Sequence, residues 1–184
     1  MFLMPLLCAL YAVSVTQVRI LIVAALLFGW LGDIFLLFRN KKVLMLCGIC
    51  AFALGHIFYI GAMLSDHPKP HILILIPVAL CAVWMVFVVK KLIPYAPRSL
   101  KKPGFLYALL LSGTALTALY LLLVTQQAAF LIAFIGGLFF MLSDTILTGQ
   151  QYRKETKHGN FYVMLTYIIA QDLLILGLAL AGGN

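Results

Sequence analysis

The chain has 184 residues, of which 65% are hydrophobic and 10% are charged, and its mean hydropathy is +1.13. Soluble domains are about 45–50% apolar and about 25% charged, so this composition excludes a soluble globular domain. Repeated apolar runs of about 20 residues predict a helical integral membrane protein. The formal net charge is +8. The basic residues lie between these runs, where they set topology and contact anionic lipid headgroups rather than nucleic acid.

Seven apolar spans follow one another, and they predict an all-α bundle of transmembrane helices in a single domain of residues 1–184. The spans are 1–17, 20–38, 43–64, 71–89, 104–125, 128–148 and 161–181. Only Gln126 and Gln127 separate the fifth span from the sixth. These two helices are therefore expected to form a tight antiparallel hairpin.

Basic residues are concentrated in every second loop. Eleven of the thirteen Lys and Arg residues follow the second, fourth and sixth spans, and only Arg19 and Lys69 lie on the opposite side. The positive-inside rule makes the basic loops cytoplasmic, with the N-terminus inside and the C-terminus outside. We expect a multi-pass protein of the bacterial inner membrane. The loop of residues 90–104 contains three prolines and is predicted to be irregular and to lie against the cytoplasmic headgroups.

Cys47 and Cys50 have the spacing of a redox or metal-binding pair, but they lie inside an apolar span without a second pair. Buried cysteine usually behaves as a small hydrophobic residue, and only His56 among the histidines lies well inside a span. We therefore predict no metal site and no cofactor. The sequence also lacks the G-x-S-x-G and H-E-x-x-H motifs of serine hydrolases and zinc proteases.

Two acidic residues lie inside apolar spans, each after a small residue. Gly32-Asp33-x-x-Leu36 in the second span returns as Ser143-Asp144-x-x-Leu147 in the sixth. Both spans run towards the cytoplasm, and a rise of 1.5 Å per residue puts both acids on the order of 6–13 Å below the cytoplasmic interface. An ionised Asp is costly in hydrocarbon, so we predict that the two acids face one cavity. The alternatives are a structural hydrogen bond or a side chain that reaches the interface.

Polar residues in the third and seventh spans share helix faces. His56 and Tyr59 are three residues apart, and Tyr167 and Gln171 are four apart, with Asp172 beside them. We predict that they line the same pocket, although a lone buried histidine is more often a satisfied core group. An Asp-bearing helix, a basic loop and a helix with a polar face thus occur twice. This pattern is compatible with a parallel repeat about an axis along the membrane normal.

In order and spacing, these motifs resemble those of the YhhN family of membrane proteins. The matching residues are Gly32-Asp33 with Leu36, Gly55-His56-x-x-Tyr59, Ser143-Asp144 and Tyr167-x-x-x-Gln171. The resemblance runs from about Met4-Pro5 to Ile175. The family usually has a further helix ahead of a Lys-Pro pair, whereas this chain opens almost at that pair and has Met4 in place of the Lys. Seven spans are therefore expected where the family pattern has eight. Either the start of this chain is truncated or misassigned, or this chain is a shorter member of the family.

The resemblance implies a lysoplasmalogenase, the activity of the family's characterised members. Such an enzyme hydrolyses the vinyl-ether bond of a lysoplasmalogen to a fatty aldehyde and glycerophosphoethanolamine or glycerophosphocholine. Enol ethers hydrolyse by protonation at carbon, so the site needs one protonated acid and one carboxylate. We predict that Asp33 and Asp144 form this pair and that Arg39 or Arg153 attracts the phosphate. The residues predicted to position water and the glycerol-phosphate oxygens are His56, Tyr59, Tyr167 and Gln171.

Three other functions are compatible with the pattern. They are hydrolysis of another membrane lipid, proton-coupled transport of a small substrate, and a purely structural role in the membrane. Transporters also use paired acids at one depth and parallel repeats. The expected partners are a lysophospholipid substrate and membrane lipids, whereas the sequence predicts no particular oligomeric state or headgroup preference.

Overall fold

The computed structural model describes residues 3–38, 40–65, 71–153 and 156–182. Within these ranges the chain forms seven α-helices and no strand, which confirms the predicted all-α class. The helices are α1 (Leu3–Ser14), α2 (Ile20–Leu36), α3 (Lys42–Leu64), α4 (Leu75–Lys91), α5 (Arg98–Thr125), α6 (Ala128–Tyr152) and α7 (Gly159–Ala181). Short 3-10 turns occur at Ile72–Ile74 and Ile93–Tyr95. Arg39, Lys69 and Lys154, which contributed to the predicted sidedness, lie outside the described residues.

Among the described residues, five helical segments are long and apolar enough to cross a membrane. They are α3, α5, α6, α7 and the segment Ile72–Tyr95, which contains α4. The other two helices are apolar but shorter, with 12 residues in α1 and 17 in α2. Because a spanning helix needs roughly 17–25 residues, α2 is at the short limit and α1 is below it. Many large apolar side chains on the outside of the bundle are exposed, as expected for contact with lipid.

The fifth helix begins earlier than the sequence predicted. The prediction of an irregular loop over residues 90–104 is wrong, because α4 continues to Lys91 and α5 already begins at Arg98. Pro97 precedes α5 in an extended conformation, with φ −53° and ψ 146°. Pro103 lies in the second turn of α5, where its missing N–H removes one backbone hydrogen bond without ending the helix.

Glycines let each Asp-bearing helix pack closely against the helix that follows it. A Cβ atom on Gly136 of α6 would lie 2.6 Å from the backbone nitrogen of Leu174 of α7. A Cβ atom on Gly55 of α3 would lie 3.2 Å from the backbone oxygen of Ala25 of α2. Close backbone approach of this kind supplies the van der Waals packing that holds helices together in lipid. The two similar pairs are compatible with the predicted repeat, which stays a prediction.

The helices alternate in direction along the chain. Gln126, with φ 57° and ψ 21°, makes the left-handed turn between α5 and α6, so these two helices form the expected hairpin. The end of the bundle where α2, α4 and α6 finish is here named the basic end. All but one of the described Lys and Arg residues lie at that end, in the last or first two turns of the helices or in the segments that connect them. The exception, Arg19, lies at the opposite end and donates a 2.6 Å hydrogen bond to the carbonyl of Ala62.

Candidate active site

A cavity of about 400 Å³ lies between the helices near the basic end. Its lining comes mainly from the last turns of α2, α4 and α6 and the first turns of α3, α5 and α7. Asp33, Asp144, Tyr107 and Tyr167 all line it. Most of the other lining side chains are apolar, and they include Leu36, Ile49, Phe52, Val88, Leu111 and Met164. Within the described part of the chain, no Lys or Arg side chain lines this cavity.

Each of the two acids accepts a hydrogen bond from a tyrosine on another helix. Tyr167 Oη donates to Asp33 Oδ1 at 2.8 Å and joins α7 to α2. Tyr107 Oη donates to Asp144 Oδ2 and joins α5 to α6. The second oxygen of each carboxyl group has no hydrogen-bond partner among residues 3–38, 40–65, 71–153 and 156–182. The structure therefore brings both acids to one cavity, and each has an oxygen left for water or a ligand.

The ring of Phe52 lies between the two tyrosines that hold the acids. Its centroid is 6.4 Å from that of Tyr107 and 6.3 Å from that of Tyr167. The ring reaches this place because residue 32 is glycine: a Cβ atom there would lie 2.7 Å from two carbons of the Phe52 ring. Gly32 is therefore required for the aromatic packing that positions the tyrosine next to Asp33.

The other predicted site residues lie deeper than the cavity. His56, Tyr59 and Gln171 are buried and do not line it. Tyr59 Oη donates to Gln171 Oε1 at 3.0 Å and links α3 to α7, while His56 Nδ1 lies 3.0 Å from Thr114 Oγ1 of α5. Gln171 is one helical turn farther from the basic end than Tyr167. Of the four residues predicted to position water and substrate, Tyr167 alone therefore reaches the cavity.

Two further predicted residues have specific partners. Ser143 Oγ donates to the carbonyl of Val163 at 3.0 Å, so its hydroxyl joins α6 to α7. Arg153 lies at the basic end, where it donates to Tyr95 Oη at 3.2 Å and its guanidinium carbon lies 4.4 Å from the ring centroid. Arg39, the other residue expected to attract the phosphate, falls outside the described residues.

Sequence reasoning missed Tyr107 and several polar residues at the basic end of the cavity. Tyr107 lies in an apolar part of α5, and no motif relates it to either acid. Thr148 and Gln151 line the cavity together with Asn160. Their spacing of four and seven residues from Asp144 places them on the same face of α6, and this spacing is a signal that could have identified them.

The model of the YhhN family matches residues 1–178, a range that contains every residue lining the cavity. The chain belongs to the YhhN family. Searches for similar curated proteins and for similar solved structures give no match.

In this YhhN family member, two carboxyl groups face a mostly apolar cavity. Such a pair can donate a proton from one group while the other accepts a proton or stabilises positive charge. The apolar lining is suited to a hydrocarbon chain, and the low local dielectric strengthens electrostatic interactions with the carboxyl groups. Because no described Lys or Arg side chain lines the cavity, a positive charge that develops beside the acids is not repelled by a cationic side chain in the lining.

Proposed function

We propose that this YhhN family member is a lysoplasmalogenase, which hydrolyses the vinyl-ether bond of a lysoplasmalogen to a fatty aldehyde and a glycerophospho-base. The observation that carries the proposal is the presence of Asp33 and Asp144 in one mostly apolar cavity. Each acid is held by a tyrosine hydroxyl. Membership of the YhhN family is consistent with a hydrolase, and the implied vinyl-ether chemistry needs two carboxyl groups.

The reaction begins with transfer of a proton to carbon. One Asp, in its protonated form, gives its proton to the vinyl carbon farther from the ether oxygen, and the electrons of the double bond form the new C–H bond. The adjacent carbon becomes part of an oxocarbenium ion. The carboxylate of the other Asp stabilises this positive charge.

Water then adds to the oxocarbenium carbon, and the second Asp accepts a proton from it to leave a neutral hemiacetal. The first Asp, now ionised, takes the hemiacetal hydroxyl proton while the second returns its proton to the glycerol oxygen. The C–O bond breaks, and aldehyde and glycerol hydroxyl are released. Both acids then have their initial protonation states again. General acid–base catalysis of this kind contributes about 10²–10⁴-fold to the rate.

The tyrosines orient the acids in this scheme. Tyr107 and Tyr167 each fix one carboxyl oxygen and leave the other for substrate or water. The deeper residues His56, Tyr59 and Gln171 connect α3, α5 and α7 and so support the helices that carry the tyrosines.

Three lipids that differ only at the first glycerol position test the proposal. Purified protein should release aldehyde from lysoplasmenylethanolamine. The 1-O-alkyl analogue should remain intact because it has no vinyl carbon to protonate. In D₂O the aldehyde should carry one deuterium on the carbon next to the carbonyl.

Release of fatty acid from the 1-acyl analogue, without aldehyde from the vinyl ether, would instead indicate a different lipid hydrolase. Movement of unchanged lipid into sealed vesicles would indicate a transporter.

A further inference from the structure

We infer that the basic end of the cavity is a headgroup subsite, in which Thr148, Gln151 and Asn160 hydrogen-bond the phosphate and the free glycerol hydroxyl of a lysophospholipid. This inference rests on the proposed function, which places the vinyl-ether bond at the two acids. It adds the direction in which the substrate lies and the part of the headgroup that the protein recognises.

The three residues extend the cavity lining from Asp144 towards the basic end. Thr148 and Gln151 follow Asp144 on the same face of α6, about 6 Å and about 10 Å farther along the helix axis at 1.5 Å per residue. Asn160 is the second residue of α7, which begins at the same end. All three side chains line the cavity.

The polar groups of the subsite are unused within the protein. None of the three side chains forms a hydrogen bond with any residue that the structure describes. The neighbouring Gln150 differs, because its carboxamide donates to Thr156 Oγ1 and accepts from Thr156 N, both at 2.8 Å. Thr148 and Gln151 are half-buried and Asn160 is exposed, so their polar groups are accessible to a ligand in the cavity. One hydroxyl and two carboxamides offer the donors and acceptors that a phosphate and a hydroxyl group require.

The length of the substrate matches this placement. Five bonds separate the vinyl-ether oxygen of a lysoplasmalogen from its phosphorus, which is roughly 6 Å in an extended chain at about 1.2 Å per bond. With the vinyl ether beside Asp144, the phosphate lies next to Thr148 and Gln151. The nitrogen base then extends beyond Gln151, where the described charged residues are basic. The subsite therefore recognises phosphate and glycerol rather than the cationic base.

Binding of a lipid that cannot be hydrolysed tests the subsite separately from catalysis. The probe is 1-O-alkyl-glycerophosphoethanolamine, titrated into the protein in nanodiscs by calorimetry. We expect Thr148→Val and Gln151→Leu each to raise Kd about tenfold, because each removes a hydrogen bond to a charged phosphate. Gln150→Leu is the matched control, since Gln150 does not line the cavity, and its Kd should stay unchanged. The choline analogue should bind wild-type protein within about threefold of the ethanolamine analogue.

The outcomes separate the subsite from the proposed activity. Weaker binding in both subsite variants with an unchanged control supports the subsite, whether or not the protein releases aldehyde from lysoplasmalogen. Unchanged Kd in the subsite variants, equal weakening in Gln150→Leu, or no binding by folded wild-type protein overturns it. Aldehyde release with the wild-type KM in Thr148→Val and Gln151→Leu would retain the proposed function and overturn the subsite.

Discussion

Tyr167 of α7 donates a 2.8 Å hydrogen bond to Asp33 of α2, across 134 positions of the chain. Tyr107 of α5 does the same for Asp144 of α6. Neither acid receives this bond from its own helix. The geometry of the acid pair therefore depends on the packing of four helices.

Replacing either tyrosine by phenylalanine removes the donor hydroxyl and keeps the ring. We expect Tyr107→Phe and Tyr167→Phe to lower kcat for aldehyde release about tenfold or more with little change in KM, because a misoriented acid affects the transition state more than substrate binding. Steady-state kinetics measures both constants. Tyr11→Phe is the control, because the Tyr11 hydroxyl contacts the backbone of Arg19 at the opposite end of the bundle. Normal kcat in both cavity variants, or an equal loss in the control, would contradict the orienting role.

Close packing of α6 against α7 makes Gly136 intolerant of a side chain. A Cβ atom there meets the backbone of Leu174 at 2.6 Å, and backbone cannot move aside as a flexible side chain can. Gly136→Ala should therefore lower stability by about 1–3 kcal/mol, measured by unfolding in detergent. Gly149→Ala on the same helix is the control, because its Cβ has nothing within 4 Å. It should be neutral or stabilising by up to about 1 kcal/mol. Equal stability in the two variants would contradict the close packing of α6 against α7 at Gly136.

The glycine before Asp33 has a different neighbour, the ring of Phe52. Gly32→Ala should displace this ring and lower both stability and aldehyde release. A smaller side chain at residue 52 should relieve the clash, so Gly32→Ala with Phe52→Leu should lose less stability than the two single variants together. A double-mutant cycle of unfolding free energies measures this coupling, and strict additivity would rule out the contact. Gly61→Ala is the control, since its nearest atom is 3.8 Å away on Leu21.

The basic end is predicted to face the cytoplasm, which puts the residues after α7 on the outside. Alkaline phosphatase fused after Asn184 should be active, and green fluorescent protein fused at the same place should be dark. Fusions after Pro97, just before α5, should give the reverse pattern. If both pairs of fusions are inverted, the cavity lies near the outer face of the membrane and its lipid substrate must come from that leaflet.

Hydropathy predicted the number and order of helices well, because a membrane admits only segments whose backbone hydrogen bonds are satisfied internally. The start of α5 was predicted poorly, since its first two turns contain Pro103 and three basic residues, which hydropathy assigns to a loop. In the structure the helix begins at Arg98 and continues through these residues.

The two acids could be identified from sequence because a carboxyl group is conspicuous in an apolar run. Tyr107 could not, because tyrosine is common near membrane interfaces and its partner is 37 positions away. Spacing correctly placed Tyr167 and Gln171 on one helix face. Spacing alone did not show how deep the cavity extends, because its depth depends on the side chains of neighbouring helices. Gln171 lies beyond the cavity and accepts a hydrogen bond from Tyr59.

The most direct test of the acid pair is aldehyde release from lysoplasmenylethanolamine by the wild-type protein and by Asp33→Asn and Asp144→Asn. Asn keeps the size of the side chain and removes its capacity to exchange a proton, so both variants should fold with near wild-type unfolding temperatures. We predict that each lowers kcat by about 100-fold or more. Near wild-type turnover in either folded variant would contradict the two-carboxyl mechanism.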